Sequence, residues 1–268
     1  MPTVLITDCT SSIGLASTKL FSAIGWNVIA AKRSRDSQID MAPSERLWVT
    51  HLDVCDPAEI KEVIEQSVKR FGNIDILVVN ALHHQIGLFE GIPRKKYIQH
   101  FGINVLGTMD MIRSIMPLFR QTHRGVIISV ISSPDHSILP MMSSVYASNS
   151  ALEGFLHAFI PEAASQGILV KLVMRYLGPS DMIFKEHALS HLADCSLTDY
   201  HDYIKVSEEV LMKKKVGSRK SEEVARAIYN AATDGSSRFR YLVGTENASH
   251  SEGRGDRVDG STELRTNI

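Results

Sequence analysis

The sequence predicts an α/β fold: a doubly wound parallel sheet of about seven strands, with helices on both faces and a helical insertion beside its carboxyl edge. Three observations carry this. Seven short runs rich in β-branched and aliphatic residues punctuate the chain. Stretches with apolar residues at helical spacing separate them, and strands that alternate with helices form a parallel sheet buried on both faces. The chain has 268 residues, 44% of them hydrophobic, and no internal repeat, which suits one domain with a large core.

In chain order, "TVLIT" (3–7) is the first strand and begins almost at the N-terminus. A helix over 13–24 leads to "NVIAA" (27–31) and "LWVT" (47–50). Helical spacing over 57–71 precedes "DILVV" (75–79), and a long helix over 94–121 precedes "GVIISVI" (125–131). A helix over 143–165 returns to "ILVKLV" (168–173). The last helix, 220–233, opens with the start signal Ser221, Glu222, Glu223 and feeds "RYLVG" (240–244). Residues 182–215 interrupt the alternation; an insertion there lies as a lid over the carboxyl ends of the strands, where open α/β sheets bind ligands. The domain is expected to span 1–245, and residues 246–268 form a polar tail with little apolar periodicity.

Charge and cysteine usage narrow the function. A net charge of −1 with pI near 6.8 provides no basic field for nucleic acid, and no apolar run approaches the roughly 20 residues of a membrane span. The three cysteines, Cys9, Cys55 and Cys195, form no CxxC, and three is an odd number for a disulfide framework. The start "MPTVLIT" has neither the charged region nor the long apolar core of a secretory signal, so a cytoplasmic location is expected. The histidines show no HxxxH or HExxH spacing, and no metal site is expected.

Five segments in order point to a family. The first strand runs into "TDCTSSIG" (7–14), "LDV" follows at 52–54, "VVNAL" at 78–82, "NVLG" at 104–107 and "VISS" at 130–133. Together they resemble the short-chain dehydrogenases/reductases over residues 3 to about 244, and that resemblance implies a Rossmann-type sheet. It further implies a dinucleotide site at Gly14, Lys32, Arg33, Asp53, Val54 and Asn80, a relay or structural asparagine at Asn104, and a homodimer or homotetramer.

The same resemblance exposes what has changed. "ASNSALEGF" (147–155) matches the family's ASKxALEGF, which sets Val145 at the catalytic tyrosine, Asn149 at the lysine and Ser132 at the serine, thirteen residues before Val145. In the family, tyrosine exchanges a proton with the substrate oxygen and lysine lowers that tyrosine's pKa. Valine has no proton to give, and asparagine brings no positive charge. Tyr146 lies one residue further on, about 100° round the helix, where packing against a neighbouring element is its bland alternative. In the turn, Asp8 and Ser12 replace the first two family glycines, so a carboxylate and a Cβ crowd the phosphate path. Lys32 and Arg33 in "KRSR" suit a 2′-phosphate or make an ordinary solvated turn. The expectation is therefore that no cofactor is required, or that NADP(H) binds weakly.

Other residues converge on the carboxyl edge. Arg175 and Tyr176 align with the family's Pro-Gly beside the nicotinamide and either occupy that volume or turn outward, with Gly178-Pro179 remaking the turn. His83, His84, Asp135 and His136 fall on the same rim. Ser132, Arg175, Tyr176, His84, Tyr146 and Asp135 are the candidate catalytic residues. Met141 and Met142, with Ile183, Phe184 and Leu192 of the lid, would give apolar walls or ordinary core. The reading that follows is a non-redox isomerase, cyclase or dehydratase acting on a small apolar organic substrate. Two alternatives stand beside it: an NADPH-dependent oxidoreductase with an unusual proton donor, and a catalytically silent ligand-binding subunit.

Overall fold

The computed structural model describes residues 1–42, 44–80, 83–134, 139–177, 197–213 and 221–244. Seven strands form one parallel sheet: β1 (Thr3–Ile6), β2 (Asn27–Lys32), β3 (Leu47–His51), β4 (Ile76–Val79), β5 (Gly125–Pro134), β6 (Ile168–Leu177) and β7 (Arg240–Val243). Their order is β3-β2-β1-β4-β5-β6-β7. The reversal between β1 and β4 opens a crevice at the carboxyl edge, the usual ligand position of such sheets. β5 and β6 run several residues beyond the runs expected from sequence, because they stay in register from Gly125↔Ile168 to Pro134↔Leu177.

The helices are α1 (Ser12–Ala23), α2 (Pro57–Phe71), α3 (Arg94–Phe101), α4 (Thr108–Thr122), α5 (Ser143–Ala164), α6 (His201–Lys213) and α7 (Ser221–Thr233). Capping explains their ends. Ser11 accepts the Gly14 N–H at the start of α1. Asp56 accepts from Ala58 and Glu59 ahead of Pro57, and α2 stops at Gly72 with φ of 82°. The helix expected over 94–121 is continuous but contains a π-helical turn, Gly102–Gly107, between α3 and α4.

Alternation along the strands divides the core into two layers. Leu5, Leu77, Ile127, Ile131 and Leu172 pack toward α2, α4 and α5. Val4, Val78, Ile128, Val130 and Val173 pack toward α1 and α7. A third, smaller cluster of Ile86, Leu88, Leu139, Met141, Met142 and Val145 sits at the carboxyl edge and is covered by Tyr146, Tyr200 and Ile204. The two methionines are thus buried packing in that cluster. Of the expected lid, residues 182–196 and 214–215 lie outside the described residues, as does the tail from 246; the described part is a short 3₁₀ turn, Thr198–Tyr200, and α6.

One buried ion pair locks the far side of the sheet. Lys171 of β6 is fully buried, with its ammonium 2.5 Å from Asp234 Oδ1 and 3.1 Å from the Tyr241 hydroxyl. Tyr241 in turn donates to Asp234 Oδ2 at 2.6 Å. Burial opposes ionisation of Asp234, but hydrogen bonds from Lys171, Tyr241 and Ser236 outweigh it and hold its pKa at about 2. Burial, reinforced by the Asp234 carboxylate, pushes the Tyr241 phenol up to about 12.

Candidate functional site

The turn between β1 and α1 is the first wall of the crevice. Asp8, at the first glycine position, adopts φ of 51° and accepts the Thr10 hydroxyl at 3.0 Å. Gly14 is required: a Cβ there would lie 2.1 Å from the Asp8 carbonyl oxygen. Ser12, at the second glycine position, turns its side chain to solvent. Asn80, at the end of β4, braces the turn by donating to Ser11 Oγ at 2.9 Å, and its main-chain N–H donates to Thr7 Oγ1 at 2.8 Å.

The basic turn after β2 is divided in use. Lys32 donates to the carbonyls of Arg35 and Ser37 and so closes its own turn, while Arg35 pairs with Glu59 at 2.9 Å. Arg33 is exposed and faces Asp8. Lys32 thus serves its own turn, and Arg33 is the one of the two left exposed. Asp53 caps the following turn through the Cys55 N–H at 2.9 Å, and Val54 is buried against Gly107, where a Cβ would stand 2.8 Å from Val54 Cγ2.

Asn104 sits in the π turn and brackets the loop after β4 with both ends of its amide. It accepts the His83 N–H at 2.8 Å and donates to the His83 carbonyl at 2.8 Å. Its own carbonyl takes the Thr108 hydroxyl at 2.8 Å. Below lies a residue that sequence reasoning missed, His100, wholly buried one helical turn before Asn104. Its Nε2 meets Ser148 Oγ at 2.8 Å and the Ser144 carbonyl at 3.1 Å, and its ring centroid is 5.9 Å from that of His83. Burial lowers its pKa against the opposing pull of the Ser144 and His83 carbonyls, which keeps the imidazole neutral.

The far wall comes from β5, β6 and α5. Ser132 and Arg175 are register partners on adjacent strands and both are buried. By alternation they share the face of Val130 and Val173, that of α1 and α7, rather than the face of α5. Among the described residues its hydroxyl has no hydrogen-bond partner. Val145 is 2% exposed in the third cluster, and Asn149 reaches the Ser132 main-chain carbonyl. Tyr146 accepts the Leu139 N–H at 3.0 Å, and burial raises its pKa, so the structure gives it a packing and loop-tethering place. His84 is half-buried on the β4 loop. Asp135, His136, Gly178, Pro179 and the lid residues Ile183, Phe184 and Leu192 lie outside the described residues; for Tyr176 the described part is its strand register with Ser133.

The turn, the braced asparagines and the strand order are a shared architecture, and residues 2–186 match the family described as short chain dehydrogenase. The chain belongs to that family. It is 31% identical over 202 residues to an uncharacterized oxidoreductase of Schizosaccharomyces pombe, covering 75% of this chain and 83% of that protein. It is 29% identical over 174 residues to the 3-oxoacyl-acyl-carrier-protein reductase FabG of Thermotoga maritima, covering 63% of this chain and 71% of the reductase. Among solved structures, a short-chain dehydrogenase from Streptomyces avermitilis superposes with a TM-score of 0.76 at 23% identity, over 91% of this chain and 88% of the other. ElxO with NADP bound gives 0.71 at 20% identity, over 90% and 96%. Among the described residues no helix is long and apolar enough to cross a membrane, and no group of three metal-binding side chains occurs.

Proposed function

We propose that this short-chain dehydrogenase family member binds NADP(H) in the carboxyl-edge crevice and acts as an oxidoreductase on a largely apolar small molecule, with a proton donor other than the family tyrosine. The observation that carries the reading is the retained frame of the crevice. Gly14 lets the β1–α1 turn close on the helix, since a Cβ there would strike the Asp8 carbonyl, Asn80 braces that turn through Ser11, and Asn80 Oδ1 is buried with no hydrogen-bond partner among the described residues. These features fit a dinucleotide at the start of α1. Relatives named oxidoreductases, and a similar fold with NADP bound, support it.

NADP(H), when bound, supplies or accepts hydride. In this chain Arg33 is the exposed cation suited to a 2′-phosphate. We assign polarisation of a substrate oxygen to the Ser132 hydroxyl, with the buried Arg175 as its register partner in support. His84 is the rim residue suited to exchange the proton near neutral pH. The third cluster supplies an apolar wall.

Titration calorimetry with NADPH and NADH, followed by NADPH oxidation with a panel of lipophilic ketones and aldehydes, tests this. Tighter binding of NADPH and slow turnover that Ser132→Ala reduces at least about tenfold are expected. Failure to bind either dinucleotide would sink the reading. A second reading, non-redox isomerase, cyclase or dehydratase chemistry on the same scaffold, is favoured by Val145 buried at the tyrosine position and Asn149 tied to a main-chain carbonyl. Product formation from an apolar substrate without any dinucleotide would support it.

A further inference from the structure

The crevice contains a charge that a dinucleotide would meet. Asp8 heads the β1–α1 turn in a left-handed conformation that glycine adopts without strain. Its carboxylate is turned inward, accepting the Thr10 hydroxyl at 3.0 Å and facing the Ser11 N–H. These are donors of the turn that opens α1, where helix N–H groups and the macrodipole attract anions. The turn has no slack. Ser11 Oγ and N–H both bond the Asp8 carbonyl, and Gly14 is pressed against the same oxygen.

Among the described residues the charged and titratable neighbours are few. From the end of β2, Arg33 faces Asp8, whereas Lys32 is committed to the carbonyls of Arg35 and Ser37. Within the turn, burial and the adjacent Asp8 push the Cys9 thiol up to about 12, so it stays neutral. α1 has no acidic residue in its first turn, and β4 contributes the neutral Asn80 through Ser11. Burial raises the Asp8 pKa above the usual carboxylate range, with Thr10, Arg33 and Ser11 opposing it.

We propose that Asp8 is an internal anion that competes with the dinucleotide pyrophosphate for the β1–α1 turn, with Arg33 as its counter-charge, so that binding tightens when Asp8 is protonated or made neutral. The inference rests on the NADP(H) reading above. A bound phosphate disfavours the Asp8 carboxylate, so binding takes up a proton and affinity rises as pH falls toward the titration of this group.

The test is calorimetric binding of NAD+ and NADP+ to the wild type, Asp8→Asn and Asp8→Gly between about pH 7.5 and about pH 5.5. NAD+ is the decisive probe, because a 2′-phosphate itself titrates near pH ~6. The glycine variant suits the left-handed backbone, and thermal melts check that all three proteins fold. The expected result is wild-type affinity for NAD+ that rises as pH falls, with net proton uptake. Both variants should bind about tenfold more tightly at the upper pH, the equivalent of one linked pKa unit, with a flat profile. Equal affinities and equal pH dependence in all three proteins would overturn the role of Asp8 while leaving the NADP(H) reading in place. Absence of dinucleotide binding by all three at every pH would overturn both.

Discussion

Asn149 donates its side-chain amide to the main-chain carbonyl of Ser132 and so joins the first half of α5 to the end of β5. Asn149 is thus a structural clasp between these two elements. Replacing Asn149 with alanine leaves that carbonyl without its donor, which costs about 1–2 kcal/mol. Chemical denaturation should find this loss, while Asn149→Lys, long enough to keep a donor at the carbonyl, should retain most of the stability.

Tyr146 gives a contrasting prediction. Its hydroxyl accepts the Leu139 N–H and its ring covers the third cluster. Tyr146→Phe should lower stability by about 0.5–1.5 kcal/mol through the lost bond. Because burial raises this phenol's pKa, its charge change lies above the usual tyrosine range. Dinucleotide affinity and any pH–rate profile near neutrality should be the same in Tyr146→Phe as in the wild type.

The Lys171–Asp234 pair predicts an acid limit. The Asp234 pKa is depressed to about 2 from about 3.9 in an unfolded chain. Its contribution is therefore fully present above the unfolded value and lost as pH falls through about 2. With the Asp234 side chain 33% exposed, screening reduces the nominal value to about 1–2 kcal/mol. Urea unfolding should show stability falling below about pH 4, with a smaller fall in Asp234→Asn. Lys171→Met removes the ammonium from a fully buried site and leaves Asp234 without its counter-charge, held by Tyr241 and Ser236 alone, at a cost of about 1–3 kcal/mol.

His123 ends α4 with φ of 47° on an exposed residue. Glycine takes this conformation without the Cβ penalty, so His123→Gly should raise stability by up to about 1 kcal/mol, read as a higher thermal midpoint.

Assembly is the last expectation. α5 exposes Ala147, Ala151, Gly154 and Ala158 along one face, and a Cβ on Gly154 would meet open space. Small side chains allow a second helix to approach closely, so this face is proposed to meet its copy in a dimer or tetramer. Light scattering at micromolar concentration should give a multiple of 29.7 kDa, and Gly154→Arg should reduce it to the monomer.

The sheet was legible because buried parallel strands must be short apolar runs, and each of the seven was visible in sequence. Helix positions were legible from apolar spacing: α2 runs over the expected 57–71, with Asp56 capping its start and Gly72 its end. The site was less legible, because it turns on single residues. A strand flips faces at each step, so an alignment that sets Ser132 thirteen residues before Val145 says nothing of the face Ser132 takes. For Lys32 the sequence left a ligand-facing cation and an ordinary turn equally open, because sequence shows charge but not the carbonyls a side chain will satisfy. His100 was invisible as an isolated residue and gains meaning only when α3 folds it against α5.

The π turn at Gly102–Gly107 carries an implication for how this gene can vary. One extra residue in that turn lets His100 meet α5 and Asn104 bracket the loop after β4 while Met111, Ile115 and Phe119, further along, address the sheet. Loss of a single codon within it would restore ordinary helical winding and swing one half by about 100° relative to the other, misplacing either the loop brace or the core stripe. Substitutions across this segment should therefore be far better tolerated than changes in its length, a bias that a scan of single-residue deletions along α3 and α4 would expose.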